Sequence, residues 1–134
     1  MGWTRASRRS DCSSHTKSIM RTILLIDDEI SILQTLSTIL KGHGYRVIVA
    51  KDAPRAEEQF VGHAVDLVIV DHGLPGVTGS ELAKILKKIK CVTVLMLSGN
   101  PELLGKPEAV DALLPKPSSV PDLLAEIERL LPDA

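Results

Sequence analysis

The sequence predicts a three-layer α/β domain in which helices cover both faces of a five-stranded parallel sheet. Short apolar runs alternate with segments of helical periodicity along most of the chain. The runs are apolar at consecutive positions and rich in β-branched residues, which is typical of strands buried on both faces. A repeated β-α order favours a parallel sheet, because each crossover returns the chain to the same edge. The 134 residues are enough for one such domain with its own core.

Five apolar runs are the predicted strands. They are Ile23–Ile26, Val47–Val49, Leu67–Val70, Val92–Leu97 and Ala112–Leu114. Between them, apolar residues recur at helical spacing, beginning with Ile30 in the first helix. Start signals for the other helices lie at Asp52 with Pro54, at Thr78 with Glu81, and at Ser119 with Pro121. Gly42 and Gly44 end the first helix, and the second runs through Phe60.

Composition and charge exclude several kinds of partner. The formal net charge is -1 and the pI about 6.4, so bulk charge does not favour nucleic acid or an anionic membrane. Aromatic residues make up 2% of the chain, which argues against base stacking as a binding mode. No apolar stretch approaches the length of a membrane span, and the N-terminus lacks the apolar centre of a secretory signal. We therefore expect no membrane insertion.

The first 19 residues differ from the rest of the chain. They are rich in Ser and Arg and show no apolar period, so they cannot bury enough surface to offset the entropy of ordering. We predict a disordered N-terminal extension over residues 1–19 and a single domain over residues 20–134. A second interpretation is that translation begins at Met20, where the regular pattern starts.

The two cysteines show no metal-ligand spacing. Cys12 lies in the polar extension, whereas Cys91 enters an apolar run and is interpreted as a small core residue. This usage fits a reducing, cytoplasmic setting.

Polar side chains stand at the ends of four predicted strands. Asp27 and Asp28 follow the first strand, Asp71 the third, Ser98 the fourth and Lys116 the fifth. In a doubly wound sheet these ends lie on one rim, where ligands bind. Neighbouring carboxylates repel each other, and a hard divalent cation such as Mg²⁺ relieves that repulsion. The alternative is that Asp28 and Asp71 merely cap the helices or turns that follow.

Together these groups suit phosphoryl transfer. A metal held by carboxylates neutralises phosphate oxygens, and a nearby carboxylate can attack phosphorus. Lys116 supplies a point charge for the transferring oxygens, and Ser98 supplies a hydroxyl donor.

The same residues resemble the receiver domain of two-component response regulators of the chemotaxis-regulator type, from about Met20 to Leu131. The resemblance rests on Asp27-Asp28, on Asp71 with the residues that follow it to Gly79, on Ser98, and on Lys116-Pro117, in that order and at matching spacings. It implies a flavodoxin-like sheet of order 2-1-3-4-5.

The resemblance also implies roles for the strand-end residues. Asp71 would be the phosphoacceptor, and Asp28, Asp71, the backbone carbonyl of Gly73 and Asp27 would hold Mg²⁺. Ser98 and Lys116 would bind the phosphoryl oxygens. The phosphoryl donor would be a phosphohistidine on a sensor histidine kinase or a phosphotransfer protein. Such a chain is a self-phosphorylating acceptor with autodephosphorylation, and not a turnover enzyme.

Three features depart from the family pattern. Leu113 replaces the aromatic residue that usually precedes the Lys by three positions, so a switch based on ring rotation is not expected. The segment from Ser98 to Lys116 is short and contains Pro101, Gly105 and Pro107, so we expect the fourth helix, between the fourth and fifth strands, to be shortened or lost. Gly73 and Asn100 occupy positions that influence hydrolysis, which predicts an altered phosphoryl lifetime.

Other functions stay open at this point. A phosphatase or phosphomutase with an aspartyl-phosphate intermediate usually carries a second Asp two residues past the nucleophile, where this chain has Gly73. A receiver module of a hybrid kinase and a degenerate, phosphate-independent interaction domain are further alternatives. For a stand-alone receiver, only three residues follow Leu131, so we expect an output partner protein and no direct contact with nucleic acid.

Overall fold

The structure is a computed structural model that describes residues 20–99, 108–116 and 119–131. Within these ranges the chain forms five strands and four helices. The strands are β1 (Thr22–Ile26), β2 (Arg46–Ala50), β3 (Leu67–Asp71), β4 (Thr93–Ser98) and β5 (Ala112–Pro115). The helices are α1 (Ile30–Gly42), α2 (Ala53–Gly62), α3 (Gly79–Ile89) and α4 (Val120–Leu130).

All five strands pair in parallel, in the order β2-β1-β3-β4-β5, which confirms the predicted fold class. The register aligns the carboxyl ends of the strands. Ile26 of β1 lies opposite Val70 of β3, and Asp71 lies opposite Leu97 of β4. The residues that follow β1, β3, β4 and β5 therefore leave the sheet along one rim.

The core consists of two apolar layers, one on each face of the sheet. Side chains of a strand point alternately to the two faces. Ile26 belongs to the layer that contains Phe60 of α2 and Leu86 of α3, whereas Leu25 belongs to the layer that contains Leu40 of α1. The consecutive apolar residues of β1 and β3 thus serve both layers, as strands covered on two sides require.

Two expectations from the sequence are wrong. Strand β2 is not buried on both faces: Arg46 is exposed and Val49 is 42% exposed, because β2 is an edge strand with one neighbour. Cys91 is exposed and does not belong to the core, because it lies ahead of β4 and outside the two apolar layers.

Some predictions concern parts of the chain outside the described residues. These are the disordered extension over residues 1–19 and the shortened or lost helix between β4 and β5. The segment 100–107 of that connection includes Asn100, Pro101, Gly105 and Pro107. Among the described helices, none combines the length and the apolar character needed to cross a membrane.

Candidate functional site

Three carboxylates form a cluster at the carboxyl rim of the sheet. Asp27 and Asp28 follow β1, and Asp71 is the last residue of β3. One carboxylate oxygen from each residue lies within 4.8 Å of the others. Asp27 and Asp71 are buried, and Asp28 is exposed. Like charges this close raise the energy of the ionised cluster, so the site favours a nearby cation.

Lys116 supplies one cation from the opposite side of the pocket. Its backbone N–H donates to the Ser98 carbonyl at 2.9 Å, which fixes the start of the side chain beside β4. Its Nζ atom lies 3.0 Å from Asp27 Oδ2 and 3.2 Å from Asp71 Oδ1. The lysine thus joins the ends of β1, β3 and β5 in one ionic network.

The charge state of Lys116 follows from these contacts. Burial acts to lower the pKa of the amine, but the hydrogen bonds and charges of Asp27, and then of Asp71, outweigh it and raise the pKa above the ordinary lysine value. The amine is therefore cationic at neutral pH. With three carboxylates and one ammonium group, the cluster carries a formal charge of -2. This charge matches that of a divalent cation.

Asp27 is held rigidly by main-chain groups on either side. Its Oδ1 atom accepts the N–H of Glu29 at 2.9 Å, and its own N–H donates to the Ala50 carbonyl at 3.2 Å. Its two carboxylate oxygens therefore have separate partners, a backbone amide and the Lys116 amine. This arrangement compensates for removing a charged group from water.

Neither Asp28 nor Asp71 is the N-cap of the helix that follows it. The N-cap of α1 is Glu29, whose side chain makes no capping hydrogen bond. The N-cap of α3 is Thr78, which forms a complete capping box with Glu81. Both aspartates thus remain available to the pocket.

The loop between Asp71 and α3 is tied to the sheet at both ends. The His72 N–H donates to the Leu97 carbonyl and the His72 carbonyl accepts the Gly79 N–H, both at 2.9 Å. Gly76 has a φ of +81°, a conformation that favours glycine. Gly73 is exposed, and a Cβ built on it would meet nothing within 4 Å. The loop therefore turns back sharply while leaving the side next to Asp71 open.

Two further predicted positions lie near this rim. Ser98 is buried at the last position of β4, opposite Pro115 of β5. Leu113 of β5 is half-buried and packs against the core layer shared with α2 and α3. The position where the family usually has an aromatic ring is thus occupied by an aliphatic side chain in contact with the core.

Two features of the site go beyond what the sequence pattern predicts. The first is the division of labour between the two neighbouring aspartates: Asp27 is the buried carboxylate that pairs with Lys116, whereas Asp28 is exposed. Strand alternation carries a signal for this, because Asp27 continues the face of Ile23 and Leu25. The second feature is the close approach of Gly79 to the main chain of Asp71, for which the local sequence carries no signal.

Comparisons with known proteins agree on one family. Residues 23–128 match the family model described as the response regulator receiver domain. Over 116 residues the chain is 29% identical to the sensory transduction protein RegX3 of Mycolicibacterium smegmatis, covering 84% of this chain and 51% of that protein. Over 112 residues it is 34% identical to the KDP operon transcriptional regulatory protein KdpE of Escherichia coli, covering 81% and 50%. The chain spans about half the length of these curated relatives.

A solved structure supports the same assignment. The crystal structure of the response regulator protein TrrA from Thermotoga maritima, in complex with Mg²⁺-BeF, matches with a TM-score of 0.76. The two chains are 29% identical, and the match covers 84% of this chain and 100% of TrrA. Family model, relatives, sheet order and acidic rim agree, and the chain belongs to the response regulator receiver domain family of two-component signal transduction.

Proposed function

We propose that this receiver accepts a phosphoryl group on Asp71 from a phosphohistidine of a sensor histidine kinase or phosphotransfer protein. The observation that carries the proposal is the position of the Asp71 carboxylate, 3.2 Å from the Lys116 amine and beside two further carboxylates. The Asp71 side chain is 11% exposed, so a donor can reach an oxygen that is otherwise shielded from water.

The donor set of the pocket fits Mg²⁺. The ion prefers hard oxygen ligands and keeps several waters, and three carboxylates of formal charge -2 after pairing with Lys116 meet that preference. Asp28, Asp71, Asp27 and the backbone carbonyl of the exposed Gly73 would hold it. When bound, Mg²⁺ supplies charge that neutralises the phosphoryl oxygens. The Mg²⁺-BeF complex of the related TrrA supports this assignment.

The proposed transfer is a displacement at phosphorus. A carboxylate oxygen of Asp71 attacks, the new O–P bond forms, and the P–N bond to the donor imidazole breaks. The leaving imidazole takes its proton from water. Lys116 and the Ser98 hydroxyl donate hydrogen bonds to the phosphoryl oxygens. Phosphorylation converts the Asp71 carboxylate into a neutral ester-like carbonyl bearing a charged phosphoryl group, so the Lys116 amine exchanges one carboxylate partner for phosphoryl oxygens.

We propose an acceptor that dephosphorylates itself and does not turn over an external substrate. Two residues past Asp71, where aspartyl-phosphate phosphatases carry a second Asp, stands Gly73.

For output we propose a partner protein, since a formal net charge of -1 does not favour nucleic acid. We place the reaction in the cytoplasm, where ATP supplies the phosphoryl group that a kinase donates.

Labelling with acetyl phosphate and Mg²⁺, followed by intact mass, tests the proposal. We expect the wild type to gain one phosphoryl group, and Asp71→Asn to gain none. Asp52→Asn is the matched control, because Asp52 caps α2 through its side chain and Asn caps equally well. Consumption of acetyl phosphate without a labelled protein would indicate a phosphatase, and absence of both labelling and consumption would indicate a degenerate interaction domain.

A further inference from the structure

We propose that Gly79 is a positioning residue that sets the location of the Asp71 carboxylate in the pocket. The inference rests on the proposed function, because Asp71 is taken as the acceptor. Gly79 is the first residue of α3 and lies outside the ionic network of the pocket.

The evidence is a close approach of main chain to main chain. A Cβ built on Gly79 would lie 2.6 Å from the Asp71 carbonyl oxygen, 3.0 Å from His72 Cα and 3.1 Å from the Asp71 carbonyl carbon. The Gly79 N–H donates to the His72 carbonyl at 2.9 Å. The start of α3 thus rests directly on the peptide that joins the acceptor to its neighbour.

The contacts that a Cβ at position 79 would make cannot be relieved by a change of rotamer, since all three neighbouring atoms belong to the backbone. Either the start of α3 or the Asp71–His72 peptide must shift. Asp71 is bound by the β3–β4 pairing, and the His72 N–H donates to the Leu97 carbonyl. Helix α3 is held by its capping box and by buried Leu82 and Leu86. With both sides restrained, a methyl group at position 79 would move both.

A shift of Asp71 matters because the pocket is narrow. Its Oδ1 atom lies 3.2 Å from the Lys116 amine, and the three carboxylates lie within 4.8 Å of one another. Mg²⁺ requires near-ideal octahedral geometry, so displacement of one ligand weakens binding of the ion. Misplacement of a reacting group by about 1 Å can cost about 100-fold in rate. We therefore expect Gly79→Ala to impair both magnesium affinity and phosphoryl acceptance.

A purely structural role makes a different prediction. If Gly79 served only to pack α3 on the sheet, the substitution would lower stability, and the folded fraction would keep wild-type affinity for Mg²⁺. Gly62, the last residue of α2, offers a matched comparison because a Cβ there would meet nothing within 4 Å. Phe60→Leu offers a second comparison, since it lowers stability through a buried side chain of α2 that lies outside the pocket.

The test compares wild type, Gly79→Ala, Gly62→Ala and Phe60→Leu. Urea unfolding gives the stability of each, calorimetric titration gives the dissociation constant for Mg²⁺, and intact mass gives the labelling rate with acetyl phosphate. We expect Gly79→Ala to weaken Mg²⁺ binding and to slow labelling at saturating Mg²⁺, each by at least about tenfold. Gly62→Ala and Phe60→Leu should stay within about twofold of wild type in both, once corrected for the folded fraction.

Wild-type affinity and rate in folded Gly79→Ala would overturn the inference, as would an equal loss in Phe60→Leu. If Gly79→Ala is partly unfolded, trimethylamine N-oxide is added to all four proteins, because this osmolyte favours the folded state. Failure to fold even then would assign Gly79 to the fold alone and contradict the proposal. Failure of the proposed function is distinct, because the wild type itself would then neither bind Mg²⁺ nor become labelled.

Discussion

The amine of Lys116 lies 3.0 Å from a carboxylate oxygen of Asp27, although the two residues follow strands separated by β3 and β4. The lysine side chain therefore extends along the carboxyl ends of the intervening strands and also reaches Asp71. The Asp27 side chain is only 2% exposed, so its charge depends on this amine and on the Glu29 amide. The pair links the stability of the fold to the chemistry of the pocket.

Replacing the amine should destabilise the protein. Lys116→Met keeps the aliphatic stem but leaves buried Asp27 without its cation, and we expect a loss of about 1–3 kcal/mol in the free energy of unfolding. Urea unfolding at neutral pH measures this. Lys84→Met, at an exposed position of α3, is the control and should change stability by less than about 0.5 kcal/mol. Equal stability of the two variants would contradict the prediction.

The same pair predicts a loss of stability at alkaline pH. The raised pKa of Lys116 means that the folded state binds the proton of this amine more tightly than the unfolded chain does. In an unfolded chain the pKa of lysine is about 10.4. The contribution is fully present below that pH and is lost as pH rises through the folded-state pKa. With a chelator present, the stability difference between wild type and Lys116→Met should shrink above about pH 10.4. A stability difference between wild type and Lys116→Met that stays constant over this pH range would contradict the prediction.

Magnesium should stabilise the fold through the carboxylate cluster. A ligand that binds only the folded state at 100 times its dissociation constant adds about 2.7 kcal/mol. Asp28→Asn should abolish most of this gain while leaving the metal-free protein as stable as before, or more so, because one of the repelling charges is gone. Thermal unfolding with and without Mg²⁺ measures both effects. Glu58→Gln, an exposed change on α2, should retain the full magnesium effect.

Gly73 should influence how long the phosphoryl group survives. The position is exposed and has open space for a side chain, so Gly73→Asn can place an amide beside Asp71 without disturbing the fold. We expect a decay rate different from that of the wild type, because the amide changes how water is held near the acyl phosphate. Intact mass followed over time after removal of the donor gives the rate. Identical decay of wild type and variant would refute the idea.

The fold was predictable because its signals are local. Runs such as Leu67–Val70, with consecutive apolar and β-branched residues, are typical of a buried strand. Thr78 with Glu81 marks the start of α3 without reference to the rest of the chain. The exposure of β2 has no comparable local signal. Val47–Val49 is as apolar as a central strand, and only the sheet order, a tertiary property, puts it at the edge.

The site, like the fold, is predictable only where its signals are local. The polar residues at the strand ends are visible in the sequence, and a parallel sheet requires them to converge on one rim. The close approach of Gly79 to Asp71 cannot be read in this way, because it depends on the angle at which α3 meets the sheet. The exposure of Cys91 escapes the sequence pattern for a related reason: the residue adjoins an apolar run but lies two positions ahead of β4, outside the paired strand.

The pairing of β1 directly with β3 has a consequence for how the acidic rim comes into being. Asp27 and Asp71 belong to stretches of chain separated by α1, β2 and α2, and only the β1–β3 pairing brings them to one level. A polypeptide cut in the exposed connection after Gly62 would yield two fragments, each with an incomplete set of acidic ligands. The fragments would bind the divalent ion with full affinity only after they reassociate. Binding of the ion would therefore stabilise the reassociated fragments and report the pairing of β1 with β3.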